Sequence, residues 1–169
     1  MSEALAAALI EVERHVGRSG WDQPARLFAL VPTAELIAAE PSLAEHLQNG
    51  FEDGYSSIEQ DDFRQGDDLA VTLSRITWPT SVAGCVLALE RAFLPADAET
   101  ELPDDPQAAA LLVAEHPRRL DLRVVVGVTR DGVRHAVARV RAAEGTDGEL
   151  LTGEDLVPAL ASALSHTLD

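Results

Sequence analysis

The chain has 169 residues, of which 46% are hydrophobic and 25% are charged, and these are values of one ordinary globular domain. Its 29 acidic and 13 basic residues give a formal net charge of -16, which repels phosphate backbones and argues against a nucleic acid partner. The one cysteine, Cys85, cannot form an internal disulfide, and no apolar run reaches the ~18 residues that cross a membrane. We therefore expect a single cytoplasmic domain over residues 1–169, without membrane contact.

The first half of the chain predicts a helix, a strand and a series of short elements. The first helix has apolar residues at helical spacing and ends at Gly17. Those apolar residues are Leu5, Leu9, Val12 and Val16. The elements predicted next are a strand at 27–31, a helix from Thr33 that Pro41 interrupts, a short helix at about 43–48, an acidic loop near 49–68 with one short strand near 56–60, and a helix capped by Asp67 or Asp68 that ends near Ile76.

The second half predicts two long apolar strands with helices between and after them. The segment "VAGCVLALERAF" alternates, and its stronger apolar face contains Cys85, Leu87 and Leu89. The elements predicted next are an acidic loop near 95–105, a helix capped by Asp105 that ends before Pro117, a hairpin, an acidic loop near 142–154, and a final helix at about 155–167 capped by Asp155. This order predicts an α+β domain with a mainly antiparallel sheet of four or five strands, and with helices covering its apolar face.

The segment "LRVVVGVTRDGVRHAVARVR" predicts a hairpin, and the need to bury its apolar side chains on one face determines the register. A two-residue loop, Asp131-Gly132, would place Arg139 and Arg141 on the apolar face of the first strand. A three-residue loop, Arg130-Asp131-Gly132, keeps that face apolar and requires Gly132 to adopt a positive φ. We therefore predict the three-residue loop. The pairs it predicts are Leu122 with Val140, Val124 with Ala138, Val126 with Ala136, Asp121 with Arg141, Arg123 with Arg139, Val125 with Val137, and Gly127 with His135.

The predicted register places two arginines, Arg123 and Arg139, directly opposite one another. Like charges that face each other across a ladder cost stability, so a negative group should lie between or above them. One interpretation is an internal acid, either Glu90 on the other long strand or an acid from the acidic loops. The other is a small anion or an acidic partner segment that binds over Arg123, Arg139 and His135.

No motif in the sequence predicts catalysis, a metal site or a cofactor. The histidines have no His-x-x-x-His spacing, and the acids at 52–68 do not follow the calcium-loop pattern. No glycine-rich phosphate loop or nucleophile elbow is present. We therefore expect no catalytic residues, no metal and no cofactor.

Four blocks of the sequence resemble a family of uncharacterised actinobacterial cytoplasmic proteins, which has no known activity. These blocks are "GWDQPARLFALVPTAEL", "ITWPTSVAGCVLALERAFLP", "EHPRRLDLRVVVGVTRDG" and "GEDLVPALASALSHTLD". The resemblance implies no site residues. In fold order alone, without its inserted helices, the chain is also similar to the small acidic chaperones of type III secretion and related dimeric regulators. That similarity implies a protein-binding function.

Two functions follow as expectations. The first is a non-enzymatic cytoplasmic protein that binds a partner protein or a second copy of itself. The alternative is a small-anion-binding protein, or an enzyme without a recognised motif, that uses Arg123, Arg139, His135 and Glu90 on the hairpin face.

Overall fold

The computed structural model describes residues 3–43, 54–64, 69–93, 103–117, 119–142, 146–153 and 156–169. The helices in these residues are α1 (Glu3–Gly17), α2 (Thr33–Ala39), α3 (Leu69–Ser74), α4 (Pro106–Glu115) and α5 (Pro158–Thr167), with a 3-10 turn at Pro41–Leu43. The strands are β1 (Arg26–Pro32), β2 (Tyr55–Glu59), β3 (Gly84–Phe93), β4 (Leu120–Thr129), β5 (Arg134–Arg141) and β6 (Asp147–Gly153).

The strands form one antiparallel sheet in the order β2-β1-β3-β4-β5-β6. The predicted α+β class is correct, but the described residues contain six strands rather than four or five. The additional strand is β6, which lies in the segment predicted as an acidic loop near 142–154. Its sequence, DGELLTG, has low strand propensity, and it is held in the sheet by pairing with the edge of β5.

The hairpin between β4 and β5 has the predicted register. Leu122 pairs with Val140, Arg123 pairs with Arg139, and the predicted pairs between them and the turn are also present. The Thr129 amide donates to the Val133 carbonyl at 2.9 Å, which closes a three-residue loop. Gly132 has a φ of +87°, so the loop uses the left-handed conformation that glycine adopts without strain.

Helices cover both faces of the sheet, whereas the sequence predicted one covered face. The first face packs against α3 and α5, and its buried strand residues include Leu87, Val124 and Val126. The opposite face packs against α1, and its buried strand residues include Phe28, Val86, Ala88, Val125 and Val137. Because the central strands carry apolar side chains on both faces, each face must be covered by helices.

Close packing of α1 depends on a glycine in the centre of the sheet. A Cβ atom on Gly127 would lie 2.6 Å from Leu9 Cδ2, which is closer than two carbon atoms approach. The missing side chain therefore lets α1 approach the β4 backbone. This approach brings the polar side chains of α1 against the sheet.

Most of the other predicted elements are confirmed, with small shifts of their ends. The Asp105 side chain accepts from the Gln107 amide, so the predicted cap of α4 is present. The last helix begins at Pro158, three residues later than predicted. The predicted short helix at 43–48, the caps at Asp67, Asp68 and Asp155, and most of the loop at 95–105 lie outside the described residues.

The tip of the hairpin is anchored by Arg130. Its guanidinium group donates to four backbone carbonyls, which belong to Trp78 at 3.2 Å, Pro79 at 3.0 Å, Val82 at 2.6 Å and Leu168 at 2.6 Å. One side chain therefore ties the hairpin loop to the residues before β3 and to the end of α5. These bonds use four of the five N–H donors of the guanidinium group.

Candidate functional site

The two opposed arginines of the hairpin meet the side chain of Glu13. Arg123 Nη1 lies 3.2 Å from Glu13 Oε1, Arg139 Nε lies 2.9 Å from the same oxygen, and Arg139 Nη2 lies 3.3 Å from Oε2. Arg123 is only 1% exposed and Glu13 only 2%. These hydrogen bonds raise the pKa of Arg139 above its ordinary value. The negative group that the register requires is therefore inside the protein.

The main partner of the two arginines is not one of the acids that the sequence predicted, although one acid of the predicted loop near 142–154 also contacts Arg123. Glu90 was the named candidate, together with acids of the loops, but the main partner comes from the first helix. Glu13 lies on the apolar stripe of α1 between Val12 and Val16, where a charged residue is unusual. This charged residue on an apolar helix face was the sequence signal that could have identified the acid. Asp147, from the segment predicted as a loop, lies 3.5 Å from Arg123 Nη1 and supplies a second, partly exposed charge.

Glu90 orders the turn between α1 and β1. It lies opposite Arg123 in the pairing of β3 with β4, but its oxygens accept from the amides of Asp22 at 2.9 Å and Gln23 at 2.8 Å. Asp22 has a φ of +66°, so the turn holds a non-glycine residue in the left-handed region. The two hydrogen bonds that Glu90 accepts therefore help to fix this turn over the sheet.

The turn closes the arginine cluster from outside. The ring of Trp21 lies 4.3 Å from the Arg123 guanidinium carbon and 5.4 Å from that of Arg141. Arg123 Nη2 donates to the Gly20 carbonyl at 3.1 Å. Arg141 forms two bonds to Asp22, at 3.0 and 3.2 Å, which lower the pKa of Asp22. Asp121, the predicted partner of Arg141, lies instead 3.7 Å from Arg119.

His135 is buried beneath α1, at a distance from the two arginines. It lies opposite Gly127 on the same face of β5 as Arg139. Four residues along a strand separate their Cα atoms by roughly 13 Å. The structure therefore brings Arg123 and Arg139 together around Glu13, keeps Glu90 at the neighbouring turn, and leaves His135 further along the sheet.

A second polar cluster, which sequence reasoning missed, joins α1 to the β2 edge of the sheet. Arg26 donates two bonds of 2.6 Å to the carboxylate of Glu59, which lower the pKa of Glu59 and raise that of Arg26. His15 Nε2 lies 3.2 Å from Arg26 Nη2 and 3.6 Å from Glu59. Three different elements supply these residues, so no spacing in the sequence could have indicated the cluster.

Two clefts open on either side of this cluster. The first, of about 650 Å³, is lined by Glu11, Arg14, His15, Arg18, Phe28, Ser57 and Glu59. The second, of about 670 Å³, lies on the other side of Glu59, and its walls include Gln23, Arg26, Gln60 and Phe63. Both volumes are within the range of small-molecule sites.

Within the described ranges, no group of three or more His, Cys, Asp or Glu side chains is arranged to hold a metal ion. Within the same ranges, no helix is long and apolar enough to cross a membrane.

Among known proteins, the chain matches a family model described as PPA1309-like protein over residues 5–169. No curated protein and no solved structure matches it. The matched range includes the whole arginine cluster and both clefts.

Proposed function

The chain belongs to the PPA1309-like protein family, which confirms the resemblance to an uncharacterised family, and we propose that it is a protein-binding domain rather than an enzyme. Its proposed partner is a basic, amphipathic segment of another cytoplasmic protein. The proposal depends on one observation, which is an exposed and mainly apolar helix in a strongly acidic chain.

That helix is α4, whose sequence PQAAALLVAE has no charged side chain before its last residue. Leu111 is 65% exposed, and Leu112 and Val113 are only half-buried. Among the described side chains of α4, none is fully buried. Leu120, at the start of the next strand, is a further exposed leucine. An amphipathic segment that covered these side chains would remove several exposed apolar groups from water.

Charge selects the kind of segment that fits. The residues that lead into α4, at 95–105, include five acids and no base, and the whole chain has a formal net charge of -16. This charge opposes contact with a second copy of the same chain and attracts a basic partner. A segment with leucine-like residues on one side and Lys or Arg on the other complements both properties of the surface.

The arrangement at the hairpin face gives less support to the alternative function, in which Arg123 and Arg139 bind a small anion. The carboxylate of Glu13 lies where an anion bound by Arg123 and Arg139 would lie, and Trp21 covers the guanidinium group of Arg123. An anion would have to displace Glu13 from two hydrogen-bonded arginines, so we place the proposed function at α4.

The test uses a synthetic amphipathic peptide of Leu and Lys, and a second peptide in which Glu replaces every Lys. We expect the full chain to bind the Lys peptide, with an affinity that falls as salt rises, and to bind the Glu peptide much more weakly. Fluorescence anisotropy of labelled peptides measures both affinities. Leu111→Ala should weaken binding of the Lys peptide by about tenfold, because it removes buried methylene groups from the interface.

Ile58→Ala is the matched control, because Ile58 is also exposed, at 43%, but belongs to the edge strand β2. It should leave peptide affinity unchanged. Equal losses in the two variants, or equal binding of the two peptides, would contradict the proposal. Analytical sedimentation tests whether a second copy of the chain covers α4 instead. A dimer that dissociates in the Leu111→Ala variant would show this and would contradict the proposal.

A further inference from the structure

The cleft between α1 and β2 contains two arginines that have no partner in the described parts of the chain. Arg14 and Arg18 line this cleft and are exposed. Arg14 lies in the last turn of α1, and Arg18 is the first residue after the helix. The Arg18 amide donates to the Arg14 carbonyl at 3.2 Å, so the chain keeps a helical turn between them and their side chains leave the same side. In an acidic chain, two neighbouring guanidinium groups without a carboxylate partner are unexpected.

The other arginines of the described residues show why this pair is distinctive. Most of them bond a carboxylate or backbone carbonyls, as Arg26, Arg130 and Arg139 do. Arg75 and Arg91 resemble Arg14 and Arg18 in having no such bond to a described residue, but neither lines one of the two clefts described above. Of the two clefts beside the Arg26–Glu59 pair, the α1 cleft is therefore the one lined by two arginines without such a bond to a described residue.

The acids of the cleft do not cancel this positive charge. Glu59 is neutralised by the two short bonds from Arg26. Glu11 is exposed and makes no ion pair with any described residue. The count for the cleft, leaving His15 aside, is two positive charges from Arg14 and Arg18 against one negative charge from Glu11. Carboxylates elsewhere on the surface are screened beyond about 8 Å at physiological ionic strength.

We propose that this cleft binds a phosphate monoester of a small metabolite, with its phosphate group held between Arg14 and Arg18. A phosphate monoester has close to two negative charges at neutral pH, which match two guanidinium groups better than a single carboxylate does. The organic part of the ligand lies against Phe28 and Ser57, which also line the cleft. The site is distinct from the α4 surface and does not depend on the proposed function.

The position of the cleft sets the expected strength of binding. Arg14 lies in the last turn of α1, where the helix dipole is negative and opposes an anion. We therefore expect dissociation constants not far below about 1 mM. The volume of about 650 Å³ accommodates a phosphosugar or a nucleoside monophosphate rather than inorganic phosphate alone.

The test is a titration of the full chain with ribose 5-phosphate and AMP, beside ribose, adenosine and inorganic sulfate. Isothermal calorimetry measures affinity, and the Nε–H signals of Arg14 and Arg18 report the place of binding by NMR. We expect a phosphate monoester to bind, the neutral compounds not to bind, and sulfate to bind more weakly. Arg14→Gln and Arg18→Gln should each weaken binding by about tenfold.

Two control variants distinguish a built site from general attraction to charge. Arg75→Gln removes the same charge from an exposed position outside the clefts and should leave the affinity unchanged. Glu11→Gln removes the acid of the cleft and should strengthen binding severalfold. The proposal is wrong if Arg75→Gln weakens binding as much as Arg14→Gln, if sulfate binds equally well, or if no monoester binds at millimolar concentration.

Discussion

Removal of the Glu13 carboxylate should destabilise the protein more than any surface charge change. Glu13 accepts three hydrogen bonds from two arginines, and Arg123 is almost completely buried. Loss of one partner from a buried ion pair costs about 3–5 kcal/mol, because the remaining charge is left without compensation. We expect Glu13→Ala to lose that amount, and Glu13→Gln, which retains one acceptor oxygen, to lose about 2–4 kcal/mol.

Urea unfolding followed by tryptophan fluorescence measures this loss directly. In a chain of this length, each kcal/mol corresponds to roughly 2–4 °C in Tm, so thermal melts give an independent value. Glu11→Gln is the matched control, because Glu11 is an exposed acid on the same helix, and it should change stability by less than about 0.5 kcal/mol. If Glu13→Gln were as stable as Glu11→Gln, the buried cluster would not contribute to the free energy of unfolding, and the reasoning would be wrong.

A double variant separates lost compensation from lost packing. Glu13→Leu with Arg123→Met replaces both members of the most buried pair by apolar side chains. We expect it to recover a large part of the stability that Glu13→Leu loses alone, because apolar replacement of a buried pair is often neutral or stabilising. A double variant that is less stable than Glu13→Leu would refute this explanation.

Three further predictions concern other parts of the fold. Gly132→Val should lose about 1–3 kcal/mol, because a β-branched residue is strained at a φ of +87°, and Gly132→Asn should lose less; urea unfolding of both variants checks this. Burial raises the pKa of Cys85 to about 11, so the thiol should react with a disulfide reagent at neutral pH only as fast as the protein unfolds; rapid labelling of the native protein would contradict this. The two hydrogen bonds from Arg26 lower the pKa of Glu59 below its ordinary value of 4.5, so their stabilisation is present above that pH and is lost as the pH falls through the folded value. Stability measured from pH 5 downward should therefore fall by up to about 1 kcal/mol more in the unmodified protein than in Glu59→Gln, and parallel curves would contradict it.

Local chemistry made the hairpin predictable from its sequence. Only one loop length keeps the arginines off the face of Leu122 and Val124, so burial alone selects the register. The capped start of α4 followed from Asp105 and Pro106 in the same way. These features are decided by residues that are close together in the sequence.

Features that depend on distant segments were not predictable. β6 forms because the edge of β5 is open to it, and nothing in the sequence of β6 itself requires a strand. Glu13 is separated from Arg123 by 110 residues and from Arg139 by 126, so the need for an acid was visible but its source was not. The cluster of His15, Arg26 and Glu59 gave no signal, because its members become neighbours only when α1 lies on the sheet.

The long separation between Glu13 and its arginines also has a consequence for synthesis of the chain. At roughly 5–20 residues per second, α1 waits about 6–25 s before Arg139 has been added. During that interval its apolar stripe has no sheet strand from the hairpin to cover it. A carboxylate in the middle of the stripe makes the uncovered helix less prone to associate with other apolar segments. The same side chain therefore protects the nascent helix first and neutralises the arginines afterwards.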